Sequence, residues 1–129
     1  MSAVQHHLPG DIERTSLAII AQELAARGVT VPPEQEAVVR RVIHATADFD
    51  YAETLRFTPG AAAKGAAALA AGGVIVTDTN MALAGVSKPT LAKLGGAAYC
   101  YMADPAVAAA AKAAAPTRAV AAMHHAAAA

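Results

Sequence analysis

Residues 40–57 read RRVIHATADFDYAETLRF. His44 stands three residues after Arg41 and four after Arg40, and on a helix both spacings bring side chains to one face. An imidazole can give and take a proton near neutral pH. A guanidinium beside it offers a planar fork to a carboxylate or phosphate. Together they suit acid–base chemistry next to an anion, where a positioned proton donor contributes about 10²–10⁴-fold in rate. The competing reading is a packed histidine bonded to a backbone carbonyl or to a carboxylate such as Asp48.

A second group of polar residues follows VIVT, the clearest strand in the chain. In open α/β sheets ligands bind beyond the carboxyl ends of the strands, which directs attention to Thr77, Asp78, Thr79 and Asn80. The alternative is that Asp78 and Asn80 cap the next helix. Thr117-Arg118 begins another helical stretch, where Arg118 is either an anion ligand or a surface cation. Ser16 falls inside the first helical stretch, where serine commonly bonds back to the preceding turn, and no base neighbours it in sequence. His6-His7 and His124-His125 are adjacent pairs, and helix neighbours point apart, so neither pair chelates alone. No CxxC, helical HExxH, phosphate loop or dinucleotide fingerprint occurs, and no metal site is expected.

The elements that must carry these residues can be read from pattern and punctuation. Residues 9–28 form a helix with Asp11 as its cap, a stripe of Ile12, Leu17, Ile20 and Leu24, and Gly28 at its end. After an extended VTVPP connector, Pro33 suits the first turn of a helix running to about residue 46. FTPG turns, residues 61–71 form a third helix, and Gly72-Gly73 stops it. Residues 74–77 are β-branched and continuous, as in a strand covered on both faces, and residues 97–102 are a second strand. Short helices fall near residues 81–85 and 87–94. Asp104-Pro105 opens another helix, and the last restarts behind Pro116. Strand, helix, strand, helix predicts a parallel α/β sheet flanked by helices, in a single domain of residues 1–129 with right-handed crossovers.

The composition excludes several classes of function. Ten basic and ten acidic residues balance, so no electrostatic footprint for nucleic acid or a membrane surface is present. Aromatics are 4% of the chain, too few for a base-stacking platform. Much of the 56% hydrophobic content is alanine, which favours helix but buries little area per residue. Lys64 and Lys112 interrupt the alanine tracts before either could span a bilayer. The amino terminus lacks a signal-peptide pattern, and the lone Cys100 suits a reducing compartment. A cytoplasmic protein is expected.

Five stretches in order, ERTSLAII, RRVIHATADFDYAETLRFTPGA, AALAAGGVIVTDTNMALAGVSKPTLAKLGG, YCYMADPAVAAAAK and PTRAVAAM, resemble the precorrin-8X (cobalt-precorrin-8) methylmutases of cobalamin biosynthesis. The resemblance runs from about residue 9 to residue 123. It implies an isomerase that moves a methyl group from carbon 11 to carbon 12 of the corrin macrocycle, giving hydrogenobyrinate or cobyrinate. It further implies a parallel α/β fold, a homodimer and no cofactor. The family's acid–base histidine falls on His44, and its substrate-contacting serine and arginine on Ser16 and Arg41. Asp78, Asn80, Thr117 and Arg118 are added as pocket residues. The substrate is either precorrin-8X or its cobalt form, since both branches share these motifs.

The chain departs from the family after PTRAVAAM. A GNAPTA-like loop and a PVGFV-like segment are missing, so the fold is expected to lack roughly its C-terminal third. Two readings of function follow: a methylmutase, or a truncated protein that binds a corrinoid or other tetrapyrrole without converting it. An open sheet edge would also favour pairing with another chain.

Overall fold

A computed structural model describes residues 8–114 and 117–129. The His6-His7 pair and Pro116 lie outside the described residues. The elements run α1 (Pro9–Ala26), α2 (Glu36–Thr46), α3 (Tyr51–Thr54), α4 (Ala61–Ala70), β1 (Val74–Thr77), α5 (Asn80–Gly85), α6 (Lys88–Lys93), β2 (Ala97–Cys100), α7 (Pro105–Ala114) and α8 (Arg118–Ala128). They form two compact units, residues 1–64 and 65–129, and each is described by itself.

The first unit is built on α1 and α2. Pro9 occupies the first position of α1 behind Leu8, where its fixed φ suits the helix and its missing N–H costs nothing. Asp11 is therefore not the cap that the sequence suggests; it lies in the first turn and pairs with Arg14. The buried stripe is shorter than expected, because Ile20 and Leu24 are buried but Ile12 remains 51% exposed. Ile20 and Leu24 meet Val39 and Ile43 of α2, a matching pair at the same four-residue spacing. Val29 and Val31 from the extended connector pack on this core, as do Phe49, Tyr51, Leu55 and Phe57.

Helix α2 starts three residues later than Pro33 indicates. The Gln35 N–H donates to the Pro32 carbonyl at 2.9 Å, so a turn precedes the helix. Ala47 ends it at φ +56°, with its N–H on the Ile43 carbonyl. A left-handed alanine is unfavourable by roughly 1–2 kcal/mol, and no glycine marks this stop in the sequence. Asp48 then accepts the Asp50 N–H at 2.9 Å, which launches the single turn of α3. The Arg27 guanidinium lies 4.2 Å over the Phe49 ring, joining the end of α1 to the segment after α2.

The second unit contains the sheet. Strands β1 and β2 pair in parallel, with Val74 opposite Ala97 and Thr77 opposite Cys100, as the strand–helix alternation predicts. β2 ends at Cys100 and not at Met102, because Tyr101 enters a turn closed by the Asp104 N–H on its carbonyl at 3.1 Å. Helices α5 and α6 pack beside the strands. Helices α7 and α8 pack on each other through Val107, Ala121 and Ala122, with Tyr101 and Met102 against them. Asp104 caps α7 as expected, accepting the Ala106 N–H at 2.8 Å. No described helix is long and apolar enough to cross a membrane.

The glycine pairs do more than stop helices. Gly72-Gly73 precedes β1 and Gly95-Gly96 precedes β2, so they set the two strand starts side by side. A Cβ on Gly96 would lie 2.5 Å from the Gly73 carbonyl oxygen and 2.9 Å from Leu91 Cδ1. The first contact is backbone and cannot swing away. Gly96→Ala is expected to destabilise the second unit by about 1–3 kcal/mol, the usual range for overpacking. A fall in the urea midpoint at unchanged slope would register this, and an unchanged midpoint would show that the strand starts can spread.

Candidate functional site

The residues singled out for chemistry near His44 meet on the pair α1 and α2. Ser16 does not bond back to its own helix as its position in the sequence suggests. Its Oγ lies 2.7 Å from His44 Nδ1, 28 residues away. Three residues earlier on each helix, Arg41 Nη2 lies 2.6 Å from Glu13 Oε1. The two contacts form two rungs between α1 and α2. On each helix the two rungs are three residues apart, which is the spacing that places side chains on one face.

This arrangement replaces the alternative reading of His44. The ring is exposed, and its hydrogen-bonded neighbour is Ser16, whereas Asp48 is engaged with the Asp50 N–H. The two arginines before it separate in role. Arg40 turns back along α2 to pair with Glu36, while Arg41 reaches across to α1. The rung between Glu13 and Arg41 was not anticipated from sequence. Its only signal was that Glu13 and Ser16 repeat the spacing of Arg41 and His44.

Arg41 holds the Glu13 carboxyl below its ordinary value of 4.5, first by a hydrogen bond and then by its charge. Slight desolvation opposes this, and the charges of His44 and Arg14 assist it. A carboxyl depressed in the folded state adds stability above its unfolded pKa, and that contribution is lost as pH falls through the folded value. The pair is exposed, at 57% for Arg41 and 43% for Glu13, so the effect is small. The wild type is expected to exceed Glu13→Gln in stability at neutral pH, with the gap closing as pH drops below 4.5 and through the lowered value. Urea midpoints of both proteins across that range would test the sign; a gap that widens in acid would contradict it.

The second unit carries the other candidates. Thr77 and Asp78, at the carboxyl end of β1, line an open cleft of about 670 Å³ with Val76, Ala82, Val120 and His124. Neither Asp78 nor Asn80 caps α5. Thr79 does so, its Oγ1 accepting the Ala82 N–H at 3.1 Å. Thr77 Oγ1 donates to the Thr79 carbonyl at 2.9 Å, which fixes the turn between strand and helix. Asn80 is the exposed first residue of α5. Thr117 caps α8 by accepting the Val120 N–H at 3.3 Å, and Arg118 donates to the Met102 carbonyl at 3.4 Å. Sequence reasoning left the histidine pairs without a role. His124 is part of the cleft wall. His125 faces Asp104 at 3.8 Å and stacks obliquely on Tyr101, with ring centroids 4.9 Å apart. Among the described residues no cluster of three or more His, Cys, Asp or Glu is arranged to hold a metal ion.

A hydroxyl and a carboxylate on α1 meet an imidazole and a guanidinium on α2, groups whose chemistry suits proton exchange beside an anion. Comparisons with known proteins identify the family. The family model described as precorrin-8X methylmutase matches residues 11–129. The cobalt-precorrin-8 methylmutase of Salmonella typhimurium is 41% identical over 118 residues, covering 89% of this chain and 56% of that protein. That of Priestia megaterium is 36% identical over 115 residues, covering 89% and 50%. A solved structure, the precorrin-8x methyl mutase from Thermus thermophilus, matches with a TM-score of 0.78 at 40% identity, covering 90% of this chain and 54% of that one. The chain belongs to the precorrin-8X methylmutase family. It spans about half the length of these relatives, less than the family resemblance in its sequence led us to expect.

Proposed function

We propose that this chain serves the methyl migration of the corrin pathway, moving a methyl group from carbon 11 to carbon 12 of precorrin-8X or cobalt-precorrin-8. The observation that carries the reading is the Ser16–His44 contact beside Arg41. The reaction is an isomerisation: the bond from the methyl to carbon 11 breaks, the bond to carbon 12 forms, and no proton is gained or lost overall. His44 lends a proton to the conjugated ring system and takes it back. Its Nδ1 faces Ser16, so the proton exchanged with substrate is the one on Nε2. In the imidazolium the Nδ1–H donates to Ser16 Oγ, which holds the ring's orientation through the cycle. Arg41 meets one of the substrate's acetate or propionate arms as a charge-assisted partner. Cobalt, where present, belongs to the substrate, and no cofactor is invoked.

Asp78, Asn80, Thr117 and Arg118, all in the second unit, are further proposed substrate contacts. Asp78 carries the wrong sign for a carboxylate arm, so its part is to face an N–H or an apolar edge of the macrocycle. A homodimer in the cytoplasm remains part of this reading. The alternative that the sequence leaves open is corrinoid binding without conversion. Incubation with precorrin-8X separates the two. Conversion to hydrogenobyrinic acid, followed by its visible absorbance, supports the first. Retention of added hydrogenobyrinic acid on the protein without turnover supports the second. A chain that neither converts nor retains it would sink both.

A further inference from the structure

Four arginines in the first unit have carboxylate partners, and three of those pairs are local. Arg14 pairs with Asp11, Arg27 with Glu23 and Arg40 with Glu36, each three or four residues apart on one helix. Only Arg41, among the described pairs of this unit, is held from another helix, by Glu13. Exposed pairs of this kind contribute little to stability, so a stabilising role gives a weak account of it. Its geometry gives a better one. A guanidinium on a flexible stem samples many orientations, and fixing it beforehand removes that entropy cost from ligand binding.

We infer that Glu13 is a positioning residue for Arg41, reaching across from α1 to hold one edge of the guanidinium so that the rest of the fork is presented beside His44 to a carboxylate arm. This deepens, and rests on, the reading of the site given above. The guanidinium has five N–H donors, and the 2.6 Å contact uses Nη2. The remaining donors can accept a carboxylate without breaking the rung. Ser16 stands in the same relation to His44 as Glu13 does to Arg41, so one face of α1 orients both groups that α2 supplies. Arg14 could have competed for Glu13, but it is taken by Asp11. Glu13 is also kept ionised to lower pH than an ordinary glutamate, so the hold persists wherever the substrate's own arms are ionised.

The test uses the full chain, labelled with ¹⁵N, and two readouts. The first needs no ligand. In Glu13→Ala the Arg41 Nε–H is expected to exchange with water several-fold faster and to lose its positive heteronuclear NOE, while Arg40, held by Glu36, stays unchanged. Glu13→Gln, which keeps a hydrogen-bonding oxygen, should restore part of the order. The second readout is hydrogenobyrinic acid binding followed by absorbance. Glu13→Ala is expected to weaken it about tenfold, and to weaken it no further in the Arg41→Ala background. Four results would overturn the inference: an Arg41 signal that stays ordered in Glu13→Ala, unchanged binding in that variant, tighter binding, which would make Glu13 a competitor for the guanidinium, or an undiminished loss in the Arg41→Ala background, which would make Glu13 a direct ligand. If the wild type itself fails to bind, the corrin reading falls and takes with it the arm that Arg41 is said to meet. The Arg41 dynamics then still decide whether Glu13 holds it.

Discussion

Replacing His44 with alanine is expected to lower the conversion of precorrin-8X by about 10²–10⁴-fold, the usual contribution of a positioned acid–base group, with hydrogenobyrinic acid still bound. The expectation rests on where the ring is. It is exposed on α2, while the residue before it, Ile43, faces the core at 1% exposure. Removing the imidazole therefore opens no cavity, and surface changes of this kind usually stay within about 0.5 kcal/mol. An unchanged thermal midpoint with lost turnover would isolate the proton transfer from the fold. Ser16→Ala supplies the graded control. It leaves the imidazole in place but removes its 2.7 Å partner, so its loss should be smaller than that of His44→Ala. Full turnover in His44→Ala would end the acid–base assignment, and equal losses in both variants would mean that the pair acts as one unit.

Which parts of this could be read from the sequence follows from the range of the forces concerned. β1 was legible to the residue, because VIVT combines β-branching with a glycine pair before it and a polar turn after it. α4 and α7 were legible for a similar reason: their ends are set by Gly72, Asp104 and Pro105, residues whose backbone preferences act locally. Local signals misled where several candidates stood side by side. In DTN all three residues can cap a helix, and Thr79 takes the role because its backbone is extended, at φ −128° and ψ 149°, while its side chain reaches the Ala82 N–H. At the start of α1 the proline outranked Asp11. The stop at Ala47 was invisible because alanine carries no signal for the left-handed conformation it adopts there.

The site was half legible for the same reason. Arg41 and His44 lie on one helix, and their spacing alone puts them together. Ser16 and Glu13 come from another helix, and no local rule places them opposite their partners. What does is the packing of Ile20 and Leu24 against Val39 and Ile43, which fixes the rotation of each helix about its own axis. Resemblance to a family named Ser16 as a substrate contact; only the fold gives it a hydrogen-bonded partner, His44.

That dependence makes Ile43→Ala the most damaging core substitution available in the first unit. Ile43 is the largest of the fully buried side chains, at 1% exposure, and its buried neighbours in this core are few: Ile20, Leu24 and Val39. Truncation of a buried isoleucine to alanine costs about 2–5 kcal/mol, against a whole-domain stability of about 5–15 kcal/mol. Urea unfolding followed by circular dichroism should show that loss, and Ile43→Val only about 0.5–1.5 kcal/mol. The valine variant is the informative one for function. It keeps the helix pair folded while loosening the contact that sets its register, so any fall in hydrogenobyrinic acid binding at near-normal stability would come from the two rungs slipping past each other. If Ile43→Ala cost less than about 1 kcal/mol, α1 and α2 would not be locked through this residue, and the alignment of Ser16 with His44 would need another cause.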